Sequence, residues 1–164
     1  MKPLSVIAWL ATCLTVVASD SLKVPGESPL EFCNSNRDQD AVQIEKVDIS
    51  PNPPKPGKPL IVTFEGVVKK NIANGAYVKV VVKYGLIQLL STTADFCEQT
   101  QNIDLNCPLE PGKMVITKSI DMPSVIPPGT YTVLADAYTD DDENISCLKA
   151  TVNFPRPGLL GEEL

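Results

Sequence analysis

The chain has 164 residues, with 14 Lys+Arg against 20 Asp+Glu, no histidine, 15 prolines and five cysteines. That length suits one domain with a substantial core, and 43% hydrophobic with 21% charged residues excludes a disordered tail or a multi-span membrane protein. A formal charge of −6 argues against nucleic acid, whose phosphates need a concentrated basic surface. The absence of histidine removes Ser-His-Asp and Cys-His catalysis, imidazole metal ligation and a histidine pH switch.

Lys2 precedes an apolar run from Leu4 to Ala18, followed by Ser19-Asp20-Ser21. A positive start, an apolar stretch of about fifteen residues and small side chains at its end predict a signal peptide over residues 1–18. The run falls short of the ~20 residues a membrane helix needs. The mature chain is then expected in the secretory pathway, either secreted or in a vacuolar or lysosomal lumen. It loses Cys13 and keeps Cys33, Cys97, Cys107 and Cys147. In an oxidising compartment four cysteines predict two disulfides, in any of three pairings. Cys97 and Cys107 enclose only nine residues, so a local bridge is the simplest choice, which leaves Cys33 for Cys147. Zinc is disfavoured because no Cys-x-x-Cys pair is present, and neither another metal nor a cofactor is expected.

Residues 19–29 are read as a flexible segment with room for a short pro-segment, and 156–164 as a flexible tail. Between them, Val, Ile, Thr and Tyr recur in short runs separated by turn formers. The predicted strands are 41–50, 60–68, 77–84, 114–121, 130–138 and 146–154, with a short seventh near Leu30 to Cys33. In 77–84, Val78, Val80, Val82 and Tyr84 share one face while Lys79 and Lys83 take the other, the period of two of a strand with one wet face. The proline-rich stretch Pro51–Gly57, Asn74-Gly75, Pro111-Gly112 and Pro128-Gly129 supply the turns. The fold class is therefore all-β, a β-sandwich of six or seven antiparallel strands, with no amphipathic helix longer than two turns. The uncharged run Gly85–Leu90 is either a doubly buried strand or the lip of an apolar cavity, and core burial is the favoured reading. Asp140–Glu143 reads as a solvated hairpin tip, beside which Asn144-Ile145-Ser146 forms an exposed N-glycosylation sequon. With no nucleophile motif, phosphate loop or paired carboxylates, an enzyme is not expected.

Cys33, Cys97, Asn106-Cys107-Pro108 and Cys147, together with Val47–Pro51 before the proline-rich turn and Val62-Thr63-Phe64 after it, resemble the ML lipid-recognition domain over about residues 30–155. The resemblance is nearest to the fungal phosphatidylglycerol/phosphatidylinositol transfer proteins. It extends more distantly to the Niemann–Pick type C sterol carrier of lysosomes, whose third disulfide has no counterpart in Asn52–Gly57. It implies an immunoglobulin-like sandwich splayed to hold a lipid, and the pairings Cys33–Cys147 and Cys97–Cys107. The implied function is lipid transfer between membranes without bond chemistry; a sterol carrier is the alternative, and a filled-core interaction module the second. Expected partners are a phospholipid or sterol ligand and transient membrane surfaces, with the protein a monomer. Along the slot we place Val62, Phe64, Val80, Val82, Tyr84, Leu86, Leu89, Phe96, Met114, Ile116, Ile120, Val133 and Ala135. Lys69, Lys70, Lys83, Lys113 and Lys118 are candidates to meet an anionic headgroup at the mouth.

Overall fold

The computed structural model describes residues 22–156, so the signal peptide expected over 1–18 and nearly all of the expected tail lie outside the described residues. The elements are β1 (Leu30–Phe32), β2 (Val42–Ser50), β3 (Pro59–Val68), β4 (Tyr77–Tyr84), β5 (Ile87–Asp95), α1 (Phe96–Gln101), β6 (Gly112–Asp121), β7 (Gly129–Tyr138) and β8 (Asn144–Phe154). They form two antiparallel sheets, ordered β1-β8-β7-β4-β5 and β2-β3-β6. Alternation sets the faces. On β3 and β6, Leu60, Val62 and Phe64 lie opposite Ile120, Lys118 and Ile116, and this row is turned toward the other sheet.

All seven strands expected from the sequence are present, each within two residues of its expected bounds. The eighth, β5, did not declare itself because its period is broken. Gln88 pairs with Lys83 and Leu90 with Val82, which leaves Leu89 as an extra residue in a bulge. The expected burial of Gly85–Leu90 is not realised. Leu86 is fully exposed at the β4–β5 turn, and Ile87, Leu89 and Leu90 are about half exposed or more. The reason is architectural: β5 is the outer strand of a five-stranded sheet faced by only three strands.

The filled core sits toward the opposite edge, where Val24, Phe32, Val42, Ile44, Val47, Val68, Ile72 and Ile145 are buried together. Part of the segment expected to be flexible belongs to this core. Val24 is wholly buried; residues 22–24 pair with β1, Val24 N–H donating to Leu30 O at 3.0 Å, and the next residues run along β2, with Val47 N–H donating to Pro25 O at 2.9 Å and Ile49 N–H to Glu27 O at 2.9 Å. Cleavage beyond Lys23 would therefore remove a core side chain. The disulfides are Cys33–Cys147 and Cys97–Cys107. The first ties β8 to the chain just after β1, beside a backbone bond from Cys33 N–H to Cys147 O at 3.1 Å.

Candidate binding cavity

The inner face of β7 carries Ala135 and Ala137, too small to reach the side chains of β3 and β6 across the sandwich. The sheets flank a partly open cavity of about 350 Å³ there. Its walls come from β2 (Val42, Ile44), β3 (Val62, Phe64), β4 (Val78), β6 (Met114, Ile116, Lys118, Ile120), β7 (Ala135, Ala137) and β8 (Ile145, Ser146, Leu148). One end is closed by Phe96 and Thr100 of α1 and by Ile103, Leu105 and Leu109 of the loop that follows.

That closure is built locally. Asp95 caps α1 by accepting from Glu98 N–H at 2.9 Å, which satisfies one orphan donor of the first turn. Phe96 N–H donates to Ala76 O at 2.9 Å, pinning the helix to the start of β4, and Ile72 and Leu109 exchange two backbone bonds. The Cys97–Cys107 bridge clamps the helix to the loop. Three polar side chains interrupt the apolar lining. Thr100 Oγ1 donates to Cys97 O at 3.0 Å, Ser146 Oγ is buried with no hydrogen-bond partner among the described residues, and Lys118 is the one charged group that the described residues contribute to the wall.

Seven of the thirteen predicted slot residues line this cavity: Val62, Phe64, Phe96, Met114, Ile116, Ile120 and Ala135. Val133 does not; it lines a second apolar cavity of about 280 Å³ with Pro54, Met122, Ile126, Tyr131, Ala150, Val152 and Phe154. This second space lies next to the first along the sheet, since Val133 and Ala150 are the next positions along the same face after Ala135 and Leu148. Val80 and Val82 share the face of Val78 and are half-buried but do not line the first cavity. Tyr84 lies at the far end, its ring 5.1 Å from that of Tyr131 and its hydroxyl donating to Pro128 O at 2.8 Å. Leu86 and Leu89 lie outside both cavities on the exposed hairpin. Sequence reasoning missed Val42, Ile44, Val78, Ala137, Ile145, Ser146 and Leu148, although the same period of two marks Val78 and Ala137 as soon as Val80 and Ala135 are chosen. The lining from Thr100 to Leu109 gave no such signal.

Of the lysines considered for the mouth, only Lys118 reaches the wall. Lys70 pairs with Glu143 at 2.8 Å and Lys113 with Glu45 at 3.2 Å, while Lys83 is exposed on the face of β4 turned away from the cavity. Asn144 is half-buried at the start of β8, not at the tip of the turn, and its Nδ2 donates to Asp136 Oδ1 at 3.2 Å. Tyr138 donates to the same carboxylate at 2.6 Å, and this bond pushes the phenol up to about 12.

Two antiparallel sheets with an apolar space between them define an immunoglobulin-like sandwich with a cavity. The family model for the ML domain matches residues 27–154, and the chain belongs to that family. It is 52% identical over 141 residues to the phosphatidylglycerol/phosphatidylinositol transfer protein of Pyricularia oryzae, covering 86% of this chain and 79% of that one. To the protein of the same name from Aspergillus oryzae it is 46% identical over 175 residues, covering 96% and 99%. Among solved structures, its fold is similar to a Niemann-Pick type C2 protein from Japanese carpenter ant (TM-score 0.52, 14% identity, covering 76% of this chain and 98% of that one). It is similar also to chicken MD-1 complexed with lipid IVa (TM-score 0.53, 18% identity, covering 78% and 93%).

Proposed function

We propose that this protein transfers phospholipids of the phosphatidylglycerol/phosphatidylinositol class between membranes, holding acyl chain in the cavity between its sheets. The observation that carries the reading is the apolar cavity itself, and the names of the fungal relatives supply the lipid class. A lipid leaves a bilayer slowly because each methylene brought into water costs about 0.8 kcal/mol. A preformed dry slot removes much of that cost without making or breaking a bond.

The slot residues in this reading are Val62, Phe64, Phe96, Met114, Ile116, Ile120 and Ala135, with Val133 in the adjoining space. Leu86, Ile87, Leu89 and Leu90, exposed and uncharged along the open edge, are the surface offered to a bilayer during transient contact. The protein acts as a monomer in the secretory pathway or a lumen it supplies, where its two disulfides persist. Glycosylation of Asn144 belongs to the same proposal, and the sugar would be attached before β8 folds, because the amide is engaged by Asp136 afterwards.

Native mass spectrometry of the purified protein, followed by lipid extraction, tests the function. A co-purifying phospholipid, and movement of labelled phosphatidylglycerol between vesicles, is the expected result. A co-purifying sterol with no phospholipid uptake would assign the alternative carrier. An empty protein that takes up neither would refute lipid transfer.

A further inference from the structure

We infer that Lys118 is the headgroup-selecting residue of the cavity, its ammonium binding the phosphate of an anionic phospholipid at the mouth in exchange for Asp104. The inference rests on the lipid-carrier reading and adds to it the atom that distinguishes a phospholipid with net negative charge from one without. Lys118 occupies an inward position of β6, between Ile116 and Ile120, and all three line the cavity. A cation in an otherwise apolar row is free to meet an anion that enters with an apolar chain, and its present partner is a poor one. Lys118 Nζ lies 3.4 Å from Asp104 Oδ2, the longest of the lysine–carboxylate pairs among the described residues, and the Asp104 side chain is 92% exposed. An ion pair so open to water contributes little, so exchanging Asp104 for a phosphate loses little.

Geometry points the same way. β6 is the outer strand of its sheet, and the Lys118 side chain lines the cavity while remaining 37% exposed, so it meets both the cavity and solvent. A chain lying against Ile116 and Met114 would leave its phosphodiester at that level. A phosphate there accepts charge-assisted hydrogen bonds at the boundary of a low-dielectric space, where they are stronger than in water.

The test compares wild type, Lys118→Glu, Lys118→Met and Asp104→Asn for uptake of phosphatidylglycerol and phosphatidylcholine from mixed vesicles, with glycerol phosphate as a free-phosphate competitor. The expected result is a preference for phosphatidylglycerol that falls about tenfold in Lys118→Glu, the scale of one charged hydrogen bond, and falls less in Lys118→Met. Asp104→Asn, which frees the lysine, should raise the preference. Glycerol phosphate should compete weakly, because it brings no chain to the slot; strong competition would instead mark a free-phosphate site and overturn the lipid assignment. If wild type takes up both lipids and Lys118→Glu keeps the same ratio, Lys118 selects nothing and the inference fails while the carrier reading stands. Wild type that takes up neither lipid refutes both.

Discussion

Replacing Ala135 by phenylalanine should block the carrier without unfolding it. Ala135 sits on β7 between Val80 on β4 and Leu148 on β8, with its side chain in the cavity wall. The substitution adds six carbons that enter empty space. At about 30 Å³ for each water-sized group, the cavity of about 350 Å³ accommodates about a dozen methylenes. A phenyl ring takes roughly half of that space. The displaced half is worth about 5 kcal/mol of transfer at ~0.8 kcal/mol per methylene. This is an upper figure, since a chain can slide toward the second cavity lined by Val133 and Ala150. At least a tenfold loss in the rate of vesicle-to-vesicle phosphatidylglycerol transfer is therefore expected, with near-native circular dichroism and a lipid-free melting temperature no lower than that of wild type. A folded Ala135→Phe variant that transfers lipid at the wild-type rate would refute the assignment of this cavity as the chain-binding slot.

Two other substitutions probe the frame around the slot. Gly129 lies at φ +146°, and a β-carbon there would come within 2.7 Å of the Tyr84 hydroxyl oxygen, whose bond to Pro128 O fixes the ring. Gly129→Ala should cost about 1–3 kcal/mol by overpacking, seen as a lower urea midpoint, while lipid selectivity stays unchanged. Asp40 is buried; desolvation raises its carboxyl above the usual value, against the opposing pull of Lys69 and Arg37 and with a smaller push from Asp136. A raised folded-state value means a stability contribution that is complete below the ordinary carboxylate range and is lost as pH rises through the raised value. Asp40→Asn should accordingly melt higher than wild type at neutral pH, with the difference vanishing at about pH 3; a lower melting temperature at neutral pH would show that the charge is used in the fold.

Most of the architecture was legible because its signals are local. The valine row of β4 and the Leu60, Val62, Phe64 row of β3 declare their faces by alternation alone, and the proline and glycine turns fix where strands stop. The site was legible only in part, for a physical reason. Alternation identifies the inner face, but it does not say where along that face the sheets separate. Val62, Phe64, Ile116 and Ala135 line the cavity, whereas Val80 and Val82, identical in pattern and level with Ala135 and Val133, do not. The separation depends on the small residues Ala135 and Ala137 opposite large ones, a relation between strands distant in sequence. β5 failed for a different reason: its bulge at Leu89 destroys the period, and its apolar residues serve no core. Lys118 was visible as a break in the β6 pattern, but its meaning depends on Asp104, which a loop brings alongside.

An unfilled interior also has an energetic consequence that bears on the loaded state. The side chains lining the cavity forgo the dispersion contacts that a packed core would give them, because a gap leaves no partner atoms on one side. The fold compensates at its two weak points. Cys33–Cys147 closes a loop of sequence separation 114, worth about 4–5 kcal/mol on the chain-entropy model, and Cys97–Cys107 holds α1 over the end of the cavity. Neither bridge restores the missing contacts inside, but a bound acyl chain does. Delipidated protein should therefore melt well below the lipid-loaded form, and the gap should rise with free lipid as mass action requires. The same gap should shrink in Ala135→Phe, where the ring supplies from within part of what the lipid supplies from outside. Calorimetry of the two proteins, each with and without lipid, separates this from a general detergent-like effect: equal gaps in wild type and Ala135→Phe would mean that lipid stabilises the protein somewhere other than this cavity.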